Sequence, residues 1–362
     1  MGSRILVINP GSTSTKVAIF NDEKLCFDAE ANHPREIIDK FSNAMEQKEF
    51  RSAAIMELIR DELQQGTPDM VVGRGGLLRP IPGGPYTITD EMISDLENER
   101  YGSHSCNLGA IIARELAEKW SVPSIIMDPP VTDEIEPRAK ITGLPEITRR
   151  SVFHALSQRG AARSVAAKMG LDYEKSRFLV AHMGGGISIG AHREGKIVDV
   201  LNGLDGEGPF TPERSGTLPL VPLIELVESG KYSCAELKKT ITSGCGLLGL
   251  TGTNDLRLIE PRIDAGDEKA KLVFDGLVYN IAKHICSYIP ALISEETRKA
   301  PADAVILTGG LARSKRLVTG IEKLVGFIAP VHVITGLEEM EVMGRGGLAV
   351  LRGEMRPQDY RA

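Results

Sequence analysis

The chain has no run of about 18 consecutive apolar residues, so it offers no candidate membrane span. It also lacks a basic surplus. With a net charge of −6 it has no positive field to neutralise phosphates, which excludes a general nucleic-acid binder. Cysteine is sparse: Cys26, Cys106, Cys234, Cys245 and Cys286 form an odd, scattered set without CxxC spacing. That argues against a zinc site or a disulfide framework and for a reducing cytoplasm. No signal-peptide apolar segment with a cleavage site precedes the first strand-like run, and no low-complexity tract occurs. What is present is ordinary for a soluble globular protein, with 42% apolar and 25% charged residues. At 362 residues the chain exceeds what one core usually spans, which predicts two domains.

One stretch stands out, Arg4-Ile-Leu-Val-Ile-Asn9-Pro-Gly-Ser12-Thr-Ser14-Thr-Lys16-Val-Ala-Ile-Phe20, because something like it returns at Arg177-Phe-Leu-Val-Ala-His182-Met-Gly184-Gly185-Gly186-Ile-Ser188-Ile-Gly-Ala-His192. Sliding one copy by 173 positions pairs Arg4 with Arg177, Leu6 with Leu179, Val7 with Val180, Gly11 with Gly184 and Ala18 with Ala191. Each copy reads as strand, small turn, strand, and the repetition predicts a duplicated domain.

Further strand-like runs lie at Met70–Val72, Ser124–Met127, Lys196–Val200, Ala304–Leu307 and Val331–Ile334. Helical patterns occupy Cys106–Trp120, Ser157–Lys168 and Ala270–Ile293, the last kinked or ended by Pro290. The mixture predicts an α/β fold. The expected domains are residues 1–148 together with a final helix at about 340–362, and residues 149–339.

Gly11-Ser-Thr-Ser-Thr-Lys16 is not a Walker A motif, since no glycine precedes the lysine and a strand follows it. Read on its own, it is either a polar turn or a phosphate-binding hairpin using Ser12, Ser14, turn amides and Lys16. The run Gly184-Gly185-Gly186 favours the second reading, because three glycines are costly unless something approaches closely. Gly309-Gly310, after a strand and before a helical pattern, is a usual place for a nucleotide at a sheet's carboxyl end.

With these loops in order, the chain resembles the acetate and sugar kinase/heat-shock/actin superfamily, and within it the acetate and butyrate kinase family. Asn9-Pro-Gly-Ser-Thr-Ser-Thr-Lys16 looks like the family's opening signature, and Phe153-His154-Ala-Leu-Ser157 is similar to its Phe-His-Gly-Thr-Ser. His182-Met-Gly-Gly-Gly-Ile-Ser188 is similar to His-Leu-Gly-x-Gly-x-Ser. Phe210-Thr-Pro212-Glu213-Arg214-Ser215-Gly216 joins a Phe-Thr-Pro and an Arg-Ser-Gly that acetate kinases separate. Asp255-Leu-Arg257 looks like part of the nucleotide-contacting Ser-Asp-x-Arg segment.

The resemblance implies two ribonuclease H-like domains with an active-site cleft, a homodimer or larger assembly, and ATP/ADP with Mg2+ as cofactors. The implied reaction is reversible phosphorylation of a short-chain fatty acid, butyrate first, to its acyl phosphate. A carboxylate with a pKa of roughly 4–5 is already ionised at neutral pH, so such a reaction needs no general base. It needs positioned positive charge.

The resemblance assigns Arg214 as clamp on the carboxylate or phosphoryl oxygens, with Arg74 second, although acetate kinases carry their arginine a few residues earlier. His154 and His182 resemble the two phosphoryl-contacting histidines, and His104 is a further candidate. Without the motifs these would read as a surface arginine and satisfied core histidines. Asp128 resembles an aspartate that orients the transfer arginine or supports magnesium. Glu338 is the expected magnesium-linked acid, with Glu339 its rival and Asn9 beside the phosphate. Phe153, Pro212 and Ser103 are the expected acyl-pocket positions, Ser103 replacing a bulkier leucine. His33, His192, His284 and His332 carry no motif and read as structural. Two other classes stay open at this point: an ATP-switched binding protein, and a sugar kinase with Asp128 as general base.

Overall fold

The computed structural model describes residues 2–336 and 339–361, which form two compact units, Met1–Thr132 with Leu337–Ala362, and Asp133–Gly336. Twelve strands occur among the described residues: β1 Arg4–Pro10, β2 Ser14–Asn21, β3 Lys24–Asn32, β4 Met70–Arg74, β5 Pro85–Thr87, β6 Ser124–Met127, β7 Arg177–Met183, β8 Ile187–Arg193, β9 Lys196–Val200, β10 Ala304–Thr308, β11 Val331–Ile334 and β12 Gln358–Asp359. The helices that matter below are α1 Lys48–Ile59, α2 Asn107–Trp120, α3 Ala155–Met169, α4 Leu220–Glu228, α5 Leu256–Asp264, α6 Glu268–Ser287 and α7 Glu339–Leu351.

The sheet of the first unit runs β12-β5-β6-β4-β1-β2-β3 and that of the second runs β11-β10-β7-β8-β9. In each, an antiparallel three-strand meander is extended from its first strand by two parallel neighbours: β4 and β6 in one, β10 and β11 in the other. This is the duplication, an α/β fold built twice. The registers refine the alignment. Val7 faces Ala18 and Val180 faces Gly190, so the counterpart of Ala18 is Gly190 rather than Ala191. The second hairpin's turn is one residue shorter. Both meanders also break register at matching places, between Ile19 and Phe20 and between Ala191 and His192.

Central strands of the first unit are covered on both faces, which explains why Ile5–Ile8 and Met70–Val72 are buried throughout rather than alternating. Leu6, Ile8 and Val71 pack with Ile111, Leu116 and the α1 residues Ile55 and Ile59. On the other face Gly344 and Gly347 of α7 press against Phe20, Val72 and Ile5. In the second unit Ile281 and Ile285 of α6 cover Leu179, Ile189 and Val305. That helix stops at Ser287, and Pro290 opens the short turn Ile289–Ala291 that follows.

Residues 133–148, assigned to the first domain on sequence, pack in the second unit. Glu134 pairs with Arg159 at 2.8 Å, and Ile135 joins Phe153, Ile197 and Val200 in one apolar cluster. The strand Gly73 and the helix Gly109 touch backbone to backbone: a β-carbon on Gly73 would lie 2.3 Å from the Gly109 carbonyl oxygen. Gly73→Ala should therefore cost about 1–3 kcal/mol in urea unfolding. Gly143→Ala, where a β-carbon meets open space, should stay within about 0.5 kcal/mol.

Candidate active site

In the first unit, β1 and β4 are parallel neighbours with Ile8 opposite Gly73, so Asn9 and Arg74 leave the same edge of the sheet. The first residue of α7 meets them there. Asn9 Nδ2 donates to Glu339 Oε2 at 3.0 Å, and Arg74 Nη2 lies 3.1 Å from Glu339 Oε1. Glu339 is thus the acid beside Asn9, while Glu338 lies outside the described residues. The Arg74 side chain is only 10% exposed, and its buried Nη1 has no partner among the described residues. A buried N–H left unfilled is costly, so this nitrogen marks a place for an anionic oxygen. Packing fixes the arginine's backbone: Gly109 of α2 abuts it, and Asn107 ties Leu77 N and Gly102 O together.

The β1–β2 turn is held from behind. Arg51, fully buried in α1, donates from Nη2 to Ser12 O at 3.1 Å and from Nη1 to Ser14 O and Thr15 Oγ1 at 2.9 Å. Gln47 takes its Nε at 3.0 Å. Burial pushes the guanidinium down to about 10, so it remains charged at neutral pH. Sequence reasoning missed Arg51. The available signal was its place on the stripe of Ile55 and Ile59, where an arginine needs partners. Lys16 faces Asn9 across the hairpin, with its half-exposed Nζ 4.0 Å from Glu30.

Asp128, nearly fully buried, follows β6 with φ of 36°, an uncommon conformation outside glycine. It exchanges hydrogen bonds with Gly84: Gly84 N donates to Oδ1 at 2.8 Å, and Asp128 N donates to Gly84 O at 3.1 Å. His104 Nδ1 accepts Cys106 N–H at 3.1 Å; burial, then Arg74 and Arg51, lower its pKa. Ser103 is exposed, and its hydroxyl donates to Glu99 at 2.6 Å.

In the second unit, His182 near the end of β7 stacks on His154, which caps the start of α3; the ring centroids are 4.1 Å apart and the planes differ by 18°. The Gly184–Gly186 turn closes through Gly184 N to Gly186 O at 2.9 Å. Arg214 lies over it: a β-carbon on Gly186 would sit 2.6 Å from Arg214 Nη1. Thr211 locks this contact, donating to Gly185 O at 2.8 Å and accepting Arg214 N–H at 3.0 Å. Arg214 Nη1 donates to Gly203 O at 3.1 Å, and burial lowers its pKa.

Gly309, with φ of 89°, abuts the end of β7; a β-carbon there would lie 2.5 Å from Met183 O, and Gly310 opens the next short turn. Asp255 caps α5 and pairs with Arg257 at 2.7 Å; the Arg257 side chain is 90% exposed and, among the described residues, bonds to Asp255 alone. Pro212 is buried. Phe153 is buried among Ile135, Ala155, Ile197 and Val200, so its ring is a core element.

A stacked imidazole pair, a desolvated guanidinium and a glycine turn with backbone N–H groups form an arrangement suited to oxyanions. Among the described residues no group of three or more His, Cys, Asp or Glu forms a metal cage. A magnesium ion carried by phosphates needs only one or two protein carboxylates, and the Asn9–Glu339 pair fits that sparse requirement.

Residues 144–327 match the family described as Acetokinase family. The chain is 72% identical over 360 residues to a probable butyrate kinase of Maridesulfovibrio salexigens, covering 99% of both chains. It is 47% identical to a probable butyrate kinase of Oleidesulfovibrio alaskensis, covering 99% of this chain and 98% of that one. The crystal structure of Porphyromonas gingivalis acetate kinase superposes with a TM-score of 0.75 at 22% identity, covering 96% of this chain and all of that one, which shows the shared fold.

Two buried histidines set a pH dependence. Burial, helped by Arg51, lowers His33; burial, helped by Arg159 and Arg163, lowers His192 well below the ordinary 6.5. Below that value the unfolded chain binds protons that the folded chain refuses, so stability falls as pH drops. The urea midpoint should decline from about pH 7 to about pH 5.5, and His33→Gln should reduce the decline.

Proposed function

The chain belongs to the acetokinase family, and from that premise we propose that it transfers the γ-phosphoryl group of ATP to the carboxylate of a short-chain fatty acid, butyrate first, giving ADP and the acyl phosphate. The gathering of His154, His182 and Arg214 at one glycine turn carries this reading. The family membership leaves the switch-protein alternative without support.

The carboxylate arrives ionised, so catalysis reduces to holding two anions in line and meeting the charge that spreads over the transferring group. In this reading the Arg214 fork and the two imidazoles face the phosphoryl oxygens. Arg74, with its unfilled Nη1, takes a carboxylate or phosphoryl oxygen. Asn9, Ser12, Ser14, Lys16 and the Gly184–Gly186 amides serve the phosphate chain; Asp255, Arg257, Gly309 and Gly310 serve the nucleoside. Glu339 and Asn9 would hold the magnesium ion, which neutralises phosphate charge when bound. Asp128 supports this machinery through the backbone of Gly84.

Ser103 leaves more room than the leucine of acetate kinases. One buried methylene is worth about 0.8 kcal/mol, roughly fourfold, so propionate, isobutyrate and valerate overlap with butyrate as substrates. The cytoplasm, where ATP is available and the five free thiols stay reduced, is the proposed compartment. No helix among the described residues is long and apolar enough to cross a membrane.

The proposed assembly is a homodimer or larger. Helix α4 buries none of its residues in its own chain: Leu220 is 73% exposed, Val221 66% and Ile224 57%. A second copy covering this face explains an apolar helix left in water.

Two measurements test the proposal. With Mg-ATP and acids from acetate to hexanoate, hydroxylamine trapping should give most hydroxamate with butyrate or isobutyrate. Arg214→Ala should lower kcat on the order of 10²–10³-fold; turnover close to normal would remove Arg214 from the mechanism. For the assembly, Ile224→Glu should shift the mass seen by light scattering to that of a single chain. An unchanged mass would place the contact elsewhere.

A further inference from the structure

His192, which carries no motif, is a link in a buried hydrogen-bond chain that runs from Tyr173 to His154. Tyr173 Oη is 3.0 Å from His192 Nδ1, and His192 Nε2 is 3.1 Å from Gln158 Oε1. Gln158 Nε2 is 3.1 Å from Ser188 O and 2.8 Å from Ser188 Oγ, and Ser188 Oγ is 2.9 Å from His154 Nδ1. His192 and Gln158 are fully buried and Ser188 nearly so. Room for the amide comes from Gly190, where a β-carbon would stand 2.6 Å from Gln158 Oε1.

The donors in this chain can be assigned by elimination. Ser188 O only accepts, so the Gln158 amide nitrogen faces it and Oε1 faces His192. His192 Nε2 must then carry a proton. Its ring is neutral, because burial, reinforced by Arg159 and Arg163, holds its pKa well below the ordinary range. Nδ1 therefore accepts, and Tyr173 donates to it. Ser188 Oγ already accepts from Gln158, and among the described residues its one remaining partner is His154 Nδ1. A buried hydroxyl hydrogen has nowhere else to go, so Ser188 donates to His154 Nδ1. Every link runs in one direction, and such chains reinforce themselves.

We propose that Tyr173, His192 and Gln158 are positioning residues that act through Ser188 to hold His154 as the Nε2–H tautomer. His182 stacks on the ring from β7 and Arg214 lies over the neighbouring glycine turn, so the ring's plane and its donor are both set before any ligand arrives. A proton on Nδ1 would leave two hydrogens between that nitrogen and Ser188 Oγ. The consequence for phosphoryl contact rests on the kinase reading above; the tautomer does not.

The test is long-range 1H–15N correlation of histidine-labelled, unaltered protein at neutral pH without substrate. The expected result is Nε2 protonated and Nδ1 bare in both His154 and His192. Protonation of Nδ1 in either ring overturns the proposal. Gln158→Met, isosteric but unable to donate, should raise the Nδ1–H share of His154. With that change kcat should fall roughly tenfold or more while KM for ATP stays within about twofold, because a wrong tautomer removes a transition-state donor. An unchanged His154 tautomer in a folded Gln158→Met variant also overturns it. The tautomer is read without catalysis, so a failure here leaves the kinase reading intact. Missing hydroxamate in the unaltered protein would sink that reading alone.

Discussion

Arg214, Gln158 and Asn107 each occupy space that a neighbouring glycine leaves open; a β-carbon on Gly186, Gly190 or Gly76 would come within 2.6 Å of the polar group it faces. Both polar clusters rest on this room. A guanidinium resting against a turn, or an amide tip held against a strand, needs backbone where another protein would have a side chain. The contacts are with side-chain tips, so a β-carbon at any of these glycines would push the polar group itself out of place. The glycines therefore act through the space they leave, and that space is where the polar groups stand.

Arginines in this chain divide by what satisfies them. Arg149 meets two carboxylates, Asp199 at 2.9 Å and Glu207 at 2.9 Å. Burial alone would lower its pKa, but the Glu207 and Asp199 bonds carry it above its usual value. That charge is cancelled where it stands, and the residue is a brace. Arg51 and Arg214 are held by carbonyl oxygens, from Ser12 and Ser14 and from Gly203, which fix geometry without cancelling charge. Arg74 is intermediate, with one nitrogen on Glu339 and another unfilled. Positive charge that burial has stripped of water, and that no anion has matched, is what a phosphate chain or carboxylate can use.

Much of the fold was legible because its signals are local. The repeated strand–turn–strand grammar gave the duplication, and apolar periodicity gave α2 and α3 to within a few residues. Two peripheral elements escaped, although the edge strands β9 and β11 did not. β3 alternates weakly and is half exposed, and α4 is apolar on the outside, so neither shows the inward stripe that identifies an element. The proposed site stood out in the sequence where a motif is contiguous, as at His154, His182 and Arg214. It was opaque where chemistry depends on contacts distant in sequence. Nothing near Arg51 announces that it holds a turn nearly forty residues away, and Gln158 sits unremarked in an alanine-rich helix. Phe153 shows the opposite failure: a motif position whose ring packs into the core.

The duplication also explains why the candidate groups fall where they do. Asn9 and His182 occupy the same place in their meanders, one residue before the end of the first strand, and in the registers Asn9 faces Lys16 as His182 faces Ser188. Parallel strands end together, so the next chain position on either sheet is delivered to the same edge. Topology chose these positions once, and the two copies filled them differently. In the first, Asn9 bonds an acid and Lys16 reaches toward solvent; in the second, His182 stacks on a second imidazole, and Ser188 hands that imidazole its hydrogen bond. One copy came to hold a carboxylate flanked by an amide and a guanidinium, the other a desolvated, donor-rich surface. The same strand position thus carries an amide beside a carboxylate in one unit and one of two stacked imidazoles in the other.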